Sequence, residues 1–511
     1  MIINEQIYKD KVLACWIGKN IGGTVGFPME FCRQINIIDG YGKAFDHPMP
    51  NDDLDLQLLW LIAMEEKGFP DVSERLAEYW QRYVTPHWAE YGIAKVNMKS
   101  GILPPLSGTV HNDMFKNSNG AWIRSEIWAC LTPGKPDYSA SSAILDAIID
   151  HGDGEGSWAE IFCAALQSCA FIESDLYKII AVALSYIPED CGIAQAVTSA
   201  IHCYQTGMSL AEARNYLLTH HRGKAAGGKQ ISEEDLKAGF ADGKCGYDAP
   251  LNVAIVIAGM LYGEGNFDKM IRSTIYFGED TDCTVGTAAS TYGLLYGTEI
   301  IEEKWKKPIG NRIVTACLNL GEMGVYGDIL PQTVEEFTDR LYHLHLQYGF
   351  QKPIYVADKA GFDTENIDIE SLRATPATIK YLKRSMTHVA FHFDFYNIYI
   401  NYGGDCSLPQ KQPKKITVTI QSSYKTPDII NLRWLVPDEV TVTPTQDGQV
   451  FLMLGGFEHS EQTLEFTFTA EQVNSINRFA LELTIDGRTT CMYVPIVFYN
   501  GNYNQNQEEN I

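Results

Sequence analysis

Up to about Gly349, apolar residues recur at helical spacing. WAEIFCAALQSCAFI, DLYKIIAVALSYI, GIAQAVTSAIHCYQTG and DAPLNVAIVIAGMLYGEG each carry an apolar face and end at glycine or polar turns. Beyond Gly349 the period changes. QKPIYVADKAGFDTENIDIESLRATPATIKYL reads as a connection. The runs KKITVTIQSS, INLRWLVP, EVTVTPTQDGQVFLML, TLEFTFTA and FALELTIDGRTTCMYVPIVFYNG then alternate apolar and polar positions, rich in Val, Thr, Ile and Phe. QDGQ and IDGR have the composition of hairpin turns. The pattern predicts a multidomain chain: an all-α region over 1–349, a linker over 350–377, an antiparallel β-sandwich over 378–500 and a polar tail over 501–511.

The first helical stretch places Ala14, Gly18, Gly22 and Gly26 one turn apart, on one face. Glycine weakens a helix, so such a stripe points to close helix–helix packing or to close approach of a ligand. With 511 residues, 45% hydrophobic and 20% charged, the chain is globular and too long for one core. Its net charge of -24 argues against nucleic acid or an anionic membrane as a general partner. MIINEQIYKDKVLACW lacks a basic segment followed by a signal-length apolar run, and IIAVALSYI is far too short to span a bilayer. The 12 cysteines are scattered without a CxxC pair, which fits reduced thiols and a cytoplasmic location. No oligomeric state is legible in the pattern.

Two acidic clusters stand just ahead of helix-like runs. Asn51-Asp52-Asp53 precedes LDLQLLWLIAMEE, and Asp280-Thr281-Asp282-Cys283 precedes TVGTAASTYGLLYG. Each alone is accounted for by helix capping. Together they offer hard oxygen ligands from separate parts of the chain, the composition of a divalent-cation site. Crowded carboxylates also repel one another and raise their pKa values unless a cation joins them. No Gly-x-Ser-x-Gly elbow, HExxH pair or dinucleotide fingerprint is present.

In order along the chain, five segments resemble motifs of the ADP-ribosylglycohydrolase family. They are VLACWIGKNIGGTVGFPMEF, ending in Glu30; NDDLDLQLLWL; NSNGAWIRSEIWACLTPG, with Asn119, Gly120 and Arg124; Asp150-His151 before a Gly-rich turn; and GEDTDCTVGTAASTYGLLYG. The resemblance covers the first two thirds of the chain. It implies an all-α fold and two magnesium ions, with manganese as the softer alternative. The ions would be held by Asn51, Asp52 and Asp53 on one side and by Asp280, Asp282 and Cys283 on the other. It implies hydrolysis of an N- or O-glycosidic bond to ADP-ribose or a similar sugar, with Glu30, Asp53 and Asp282 in the catalytic centre. Asn119, Gly120, Arg124 and His151 would hold substrate.

The residues themselves leave alternatives open. Arg124 equally suits an ion pair with Glu126 or another acid, and His151, beside Asp150 and Asp153, suits a structural hydrogen bond better than a substrate contact. Trp60, Trp122 and Trp128 could stack on a base or sugar, with core packing favoured for Trp60. HHRGKAAGGKQ, from His220, is basic enough to hold a phosphate but reads better as a surface loop. Asn51 and Cys283 stand where the family has threonines. Cys283 is a poor magnesium ligand, which leaves two alternatives: it only packs, or Thr284 takes its place through a shifted turn. These two departures keep open a non-catalytic, ligand-binding protein that retains the fold and the metal.

Overall fold

The computed structural model describes the chain except for residues 44, 224–229, 243–245, 319–328, 423–426, 454–459 and 502–511. Most of the HHRGKAAGGKQ run and of the expected polar tail therefore lie outside the described residues.

The helical stretches fold as the apolar spacing predicts, at Glu155–Ala170, Leu176–Leu184, Gly192–Gln205 and Ala249–Gly263. They pack around one apolar core. Its central contact is between the opening helix, Glu5–Gly26, and the closing helix, Thr281–Tyr296, which run antiparallel. A Cβ at Gly18 would overlap the carbonyl of Ala289, one at Gly22 the backbone of Gly286, and one at Gly26 the backbone of Thr281 and Asp282. Gly293 answers from the other side against Ala14. The glycine stripe is a helix–helix contact in which backbone meets backbone.

Two short ladders sit among the helices. Ile2–Ile3 pairs antiparallel with Phe362–Asp363, and Cys32–Arg33 pairs parallel with Gln230–Ile231. The helix Val334–Gln351 ends just past Gly349. The stretch read as a linker is docked: Phe362 and Leu372 pack on the helical core, and helix Pro376–Thr387 buries Leu382 and Met386 in it. The first strand of the C-terminal region begins at Val389.

From there the chain forms two five-stranded sheets. One runs in the order Val440–Thr443, Ser460–Ala470, Lys414–Ser422, Tyr396–Asn401, Val389–His392. The other runs Asp447–Leu452, Asp428–Leu435, Ile476–Ile485, Cys491–Asn500, Ser407–Leu408. Alternate residues point inward, as at Ile416, Val418 and Ile420 or Leu481, Leu483 and Ile485, and both sheets share one core. Trp434 of one sheet meets Phe466 and Phe468 of the other edge-on, at 5.0 and 4.9 Å. Pairing is antiparallel except where Cys491–Asn500 meets Ser407–Leu408 in parallel.

IDGR does join a hairpin, between Ile476–Ile485 and Cys491–Asn500. QDGQ does not. Val440–Thr443 and Asp447–Leu452 belong to different sheets, so the chain crosses between them at Pro444–Gln446 and QDGQ enters the next strand. Turn composition alone does not distinguish a reversal from a crossing.

Gly22→Ala is expected to lower unfolding free energy by about 1–3 kcal/mol or more, because two packed backbones must separate to admit a methyl group. Gly40→Ala, whose new Cβ would meet nothing within 4 Å, should stay within about 0.5 kcal/mol. Urea titration of both variants against the parent protein measures the contrast.

Candidate metal centre

Close packing of the opening and closing helices brings one end of each together. After Gly26 the chain makes a single 3-10 turn, Phe27–Met29, and presents Glu30. Phe31 follows with φ 57°, and its N–H donates to the carbonyl of Glu279 at 2.8 Å. Gly278 and Glu279 also lie in the left-handed region, at 77° and 65°. Phe31 and Glu279 are non-glycine residues in this region and carry strain, and a buried ion pair holds the junction: Arg33 Nε donates to Glu279 Oε1 at 2.6 Å and Arg33 Nη2 to Oε2 at 3.0 Å. Asp280 then starts the closing helix, and Thr281 Oγ1 donates to Gly26 O at 2.7 Å.

The second acidic cluster opens helix Asp52–Lys67. Asn51 Oδ1 accepts from Asp53 N at 2.8 Å, so this residue caps the helix and its carbonyl oxygen is engaged there. Gly23 leaves room for the Asn51 amide. Asp52 accepts from Tyr91 Oη at 3.2 Å.

Ligand-type atoms come together in three groups among the described residues: Glu90, Asp150 and His151 form one, and the other two share Asp282. Glu30, Asp280 and Asp282 have oxygens within 4.8 Å of one another, and so do the ligand atoms of Asp53, Asp282 and Cys283. Asp52 belongs to none of these groups but lines the same cleft, of about 540 Å³. Asp282 Oδ1 and Asp53 Oδ2 are buried and receive no hydrogen bond among the described residues. Burial and the neighbouring Asp280 push the Asp52 carboxyl up. Burial pushes Asp53 up to about 8, although the Lys19 ammonium opposes it. Burial together with Asp280, Glu30 and Asp53 pushes Asp282 well up. Oxygen donors gathered this way, with lone pairs left over, fit divalent magnesium or manganese.

Cys283 Sγ lies 3.5 Å from Asp53 Oδ1, placed to donate to it. Burial and the surrounding carboxylates push this thiol well up, so it stays protonated beside them. Thr284 does not replace it: its hydroxyl turns back to the Thr281 carbonyl at 3.3 Å.

The Asn-Gly loop divides between cleft and interior. Asn119 Nδ2 donates to Asp280 Oδ2 at 2.7 Å, and Trp122 Nε1 donates to Asn119 Oδ1 at 3.0 Å, so Asn119 orients an acidic ligand. Gly120 lines the cleft, and a Cβ there would overlap the carboxylate of Glu90. Arg124 is wholly buried. It donates to Asp146 at 2.9 Å and forks onto Asp150 at 2.8 and 3.2 Å, so its guanidinium is not presented to the cleft. Burial alone would push Asp150 up, but Arg124 and His151 hold it at about 2. His151 is also wholly buried, with Nε2 3.0 Å from Ser118 Oγ and Nδ1 3.0 Å from Asp150. Trp60 and Trp128 donate to Asp146 from the core.

Sequence reading passed over the cleft's other wall. Trp88, Glu90, Tyr91 and Tyr247 line it, and burial pushes Glu90 up to about 7. It also passed over Lys19, whose Nζ lies 2.9 Å from Glu126 and 3.4 Å from Asp53. The available signal was a lysine three residues before Gly22 and four before Gly23, on a face made for burial.

Set against known proteins, the model of the ADP-ribosylglycohydrolase family matches residues 4–347. The chain belongs to that family. A solved structure described as an ADP-ribosylglycohydrolase-related protein complex is 16% identical, with a TM-score of 0.40, covering 66% of this chain and 99% of that one. A FixG-related protein from Vibrio parahaemolyticus is 14% identical, with a TM-score of 0.18, covering 21% of this chain and 99% of that one. At those scores neither likeness bears on function, and no curated protein matches the chain. No helix among the described residues is long and apolar enough to cross a membrane.

Arg124→Met leaves Asp146 and Asp150 without their cation in the core. It should cost about 3–5 kcal/mol in denaturant unfolding, where loss of a substrate contact alone would leave stability unchanged. The acidic centre also sets a pH trend. Asp53 is raised from 3.8 to about 8, and Asp52 and Asp282 are raised too. The folded, metal-free chain therefore holds protons that the unfolded chain releases, and stability falls as pH rises from about 4 to about 8. Thermal melts in chelator should show this decline, and Asp53→Asn should flatten it.

Proposed function

We propose that this protein is a metal-dependent hydrolase that cleaves an N- or O-glycosidic bond at a ribose-like sugar. The observation that carries the reading is Asp282, shared between two groups of ligand atoms in the wall of one cleft. Asp53 and Asp282 would hold one magnesium ion, and Asp280 and Asp282 the other, with Glu30 beside them and manganese as the alternative metal. Divalent ions bound there would supply Lewis-acid chemistry, polarising sugar hydroxyls and lowering the pKa of a bound water.

The chain's own residues do the rest. Asn119 keeps Asp280 turned toward the centre, and Tyr91 holds Asp52. Glu30, at the edge of the centre, accepts the proton of the attacking water. Trp88, Tyr91 and Tyr247 offer aromatic faces to the part of the substrate beyond the sugar. Arg124 and His151 act from behind, by fixing the loop that carries Asn119 and Gly120. The described cysteines are free thiols, which supports a reducing, cytoplasmic setting.

A second reading has its own support. Asn51 Oδ1 and Cys283 Sγ both engage Asp53 inside the protein, and this suits a ligand-binding protein that keeps the fold and metal without turnover.

Assay of ADP-ribosyl-arginine, ADP-ribosyl-serine and a panel of nucleotide sugars, with and without magnesium, separates the two. Turnover is expected that needs magnesium, disappears in Asp282→Ala and falls about 10²–10⁴-fold in Glu30→Gln. Magnesium binding with no turnover across the panel favours the binding protein.

A further inference from the structure

Lys19 stands beside the acidic centre and has no part in the hydrolytic reading. It projects from the opening helix between Gly18 and Gly22, the residues that bring the closing helix into contact, and its side chain is 1% exposed. Its Nζ meets three groups: Glu126 Oε1 at 2.9 Å, Thr287 Oγ1 at 3.0 Å and Asp53 Oδ2 at 3.4 Å. Glu126 is itself wholly buried and further held by Ser290 Oγ at 2.7 Å and Gln57 Nε2 at 3.0 Å. The ammonium is therefore fixed in place. It faces the Asp53 oxygen that receives no hydrogen bond, in a residue whose other oxygen faces Cys283.

A cation so placed has two effects on a neighbouring metal site. It stabilises the crowded carboxylates when no divalent ion is present, because an isolated buried charge is costly and a paired one far less so. It also repels an incoming cation and draws on the same carboxylate charge that the cation needs. The charge count of a site is what moves its affinity over decades.

We propose that Lys19 is a built-in counter-cation of the metal centre, keeping it folded when empty and holding its affinity for divalent ions down. The proposal rests on the two-group metal centre above and makes loading of that centre reversible with the surrounding metal concentration. Lys19 touches neither substrate nor metal; it acts through Asp53 and is a positioning residue. Glu126 shares its charge and so sets how strongly it weighs on Asp53.

The test is calorimetric titration of the metal-stripped full chain with manganese, together with thermal melts in chelator and in manganese. Lys19→Met strands Glu126 in the core, so Lys19→Met/Glu126→Gln, which removes both charges, is measured beside it. The double variant should bind manganese at least about tenfold tighter than the parent protein. Glu126→Gln alone leaves Lys19 to Asp53 and should bind about tenfold weaker. The gain in melting temperature on adding manganese should be larger in the double variant than in the parent. Parent binding with an unchanged or weaker double variant overturns the role of Lys19 and leaves the metal centre standing. Binding in the double variant alone supports it in its strongest form. Failure of both proteins to bind removes the metal centre and this proposal with it.

Discussion

Everything at the centre depends on how closely the opening and closing helices approach. At successive turns a glycine on one meets bare backbone on the other, so the two pack with no side chains between them. The contact joins residues 255 positions apart, as in the bond from Thr281 to the Gly26 carbonyl. Because the helices run antiparallel, the end of one lies level with the start of the other. Glu30 therefore leaves the pair where Asp280 and Asp282 enter it. A methyl group at any of these glycines would separate the acidic residues as well as the helices.

That geometry gathers negative charge at the wall of a cleft, where Asp53, Asp280 and Asp282 are buried and Asp52 and Glu30 are half-buried. Two helix starts, at Asp52 and at Thr281, turn their positive ends to it, but each end offers only about half a charge. The protein meets the imbalance in depth. Farthest in, Arg124 is saturated by Asp146 and Asp150. Nearer the cleft, Lys19 divides itself between Glu126 and Asp53. At the cleft wall, Asp282 has a buried oxygen with no donor at all among the described residues. Neutralisation falls off toward the cleft, and the carboxylates left least compensated are those in reach of an incoming cation.

Much of this was legible in the chain. The change of period told the helical kind of region from the strand kind, because the two element types place apolar residues at different intervals, but helix Pro376–Thr387 lies beyond Gly349 and the C-terminal sheets begin at Val389. The acidic pairs marked the centre because capping residues and metal ligands are the same residue types. What could not be read was direction. Arg124 and His151 lie in motifs beside the cleft yet point inward, Arg124 onto Asp146 and Asp150 and His151 onto Ser118 and Asp150. Lys19 went unread because a lone lysine in a glycine-rich helix is silent until the partner helix covers it. The QDGQ crossing failed for a similar reason: whether a turn reverses or changes sheets is decided by distant strands.

The strand region is tied into the same construction. Ile102, Leu106 and Val110, which belong to the chain before the Asn-Gly loop, are buried in the strand core, and Arg478 donates to the Ser100 carbonyl. The far side of that segment is pinned to the helices. Ser107 Oγ donates to the Ile149 carbonyl at 2.7 Å, and Asn112 Nδ2 donates to the carbonyls of Gly108 and Asp150. Residues 102–112 are thus clamped between the sheets and the Asp150–His151 turn, and Ser118 and Asn119 follow directly. The strands reach Asp280 through this clamp and through Asn119, so they form part of the support of the acidic centre, on the wall opposite the paired helices.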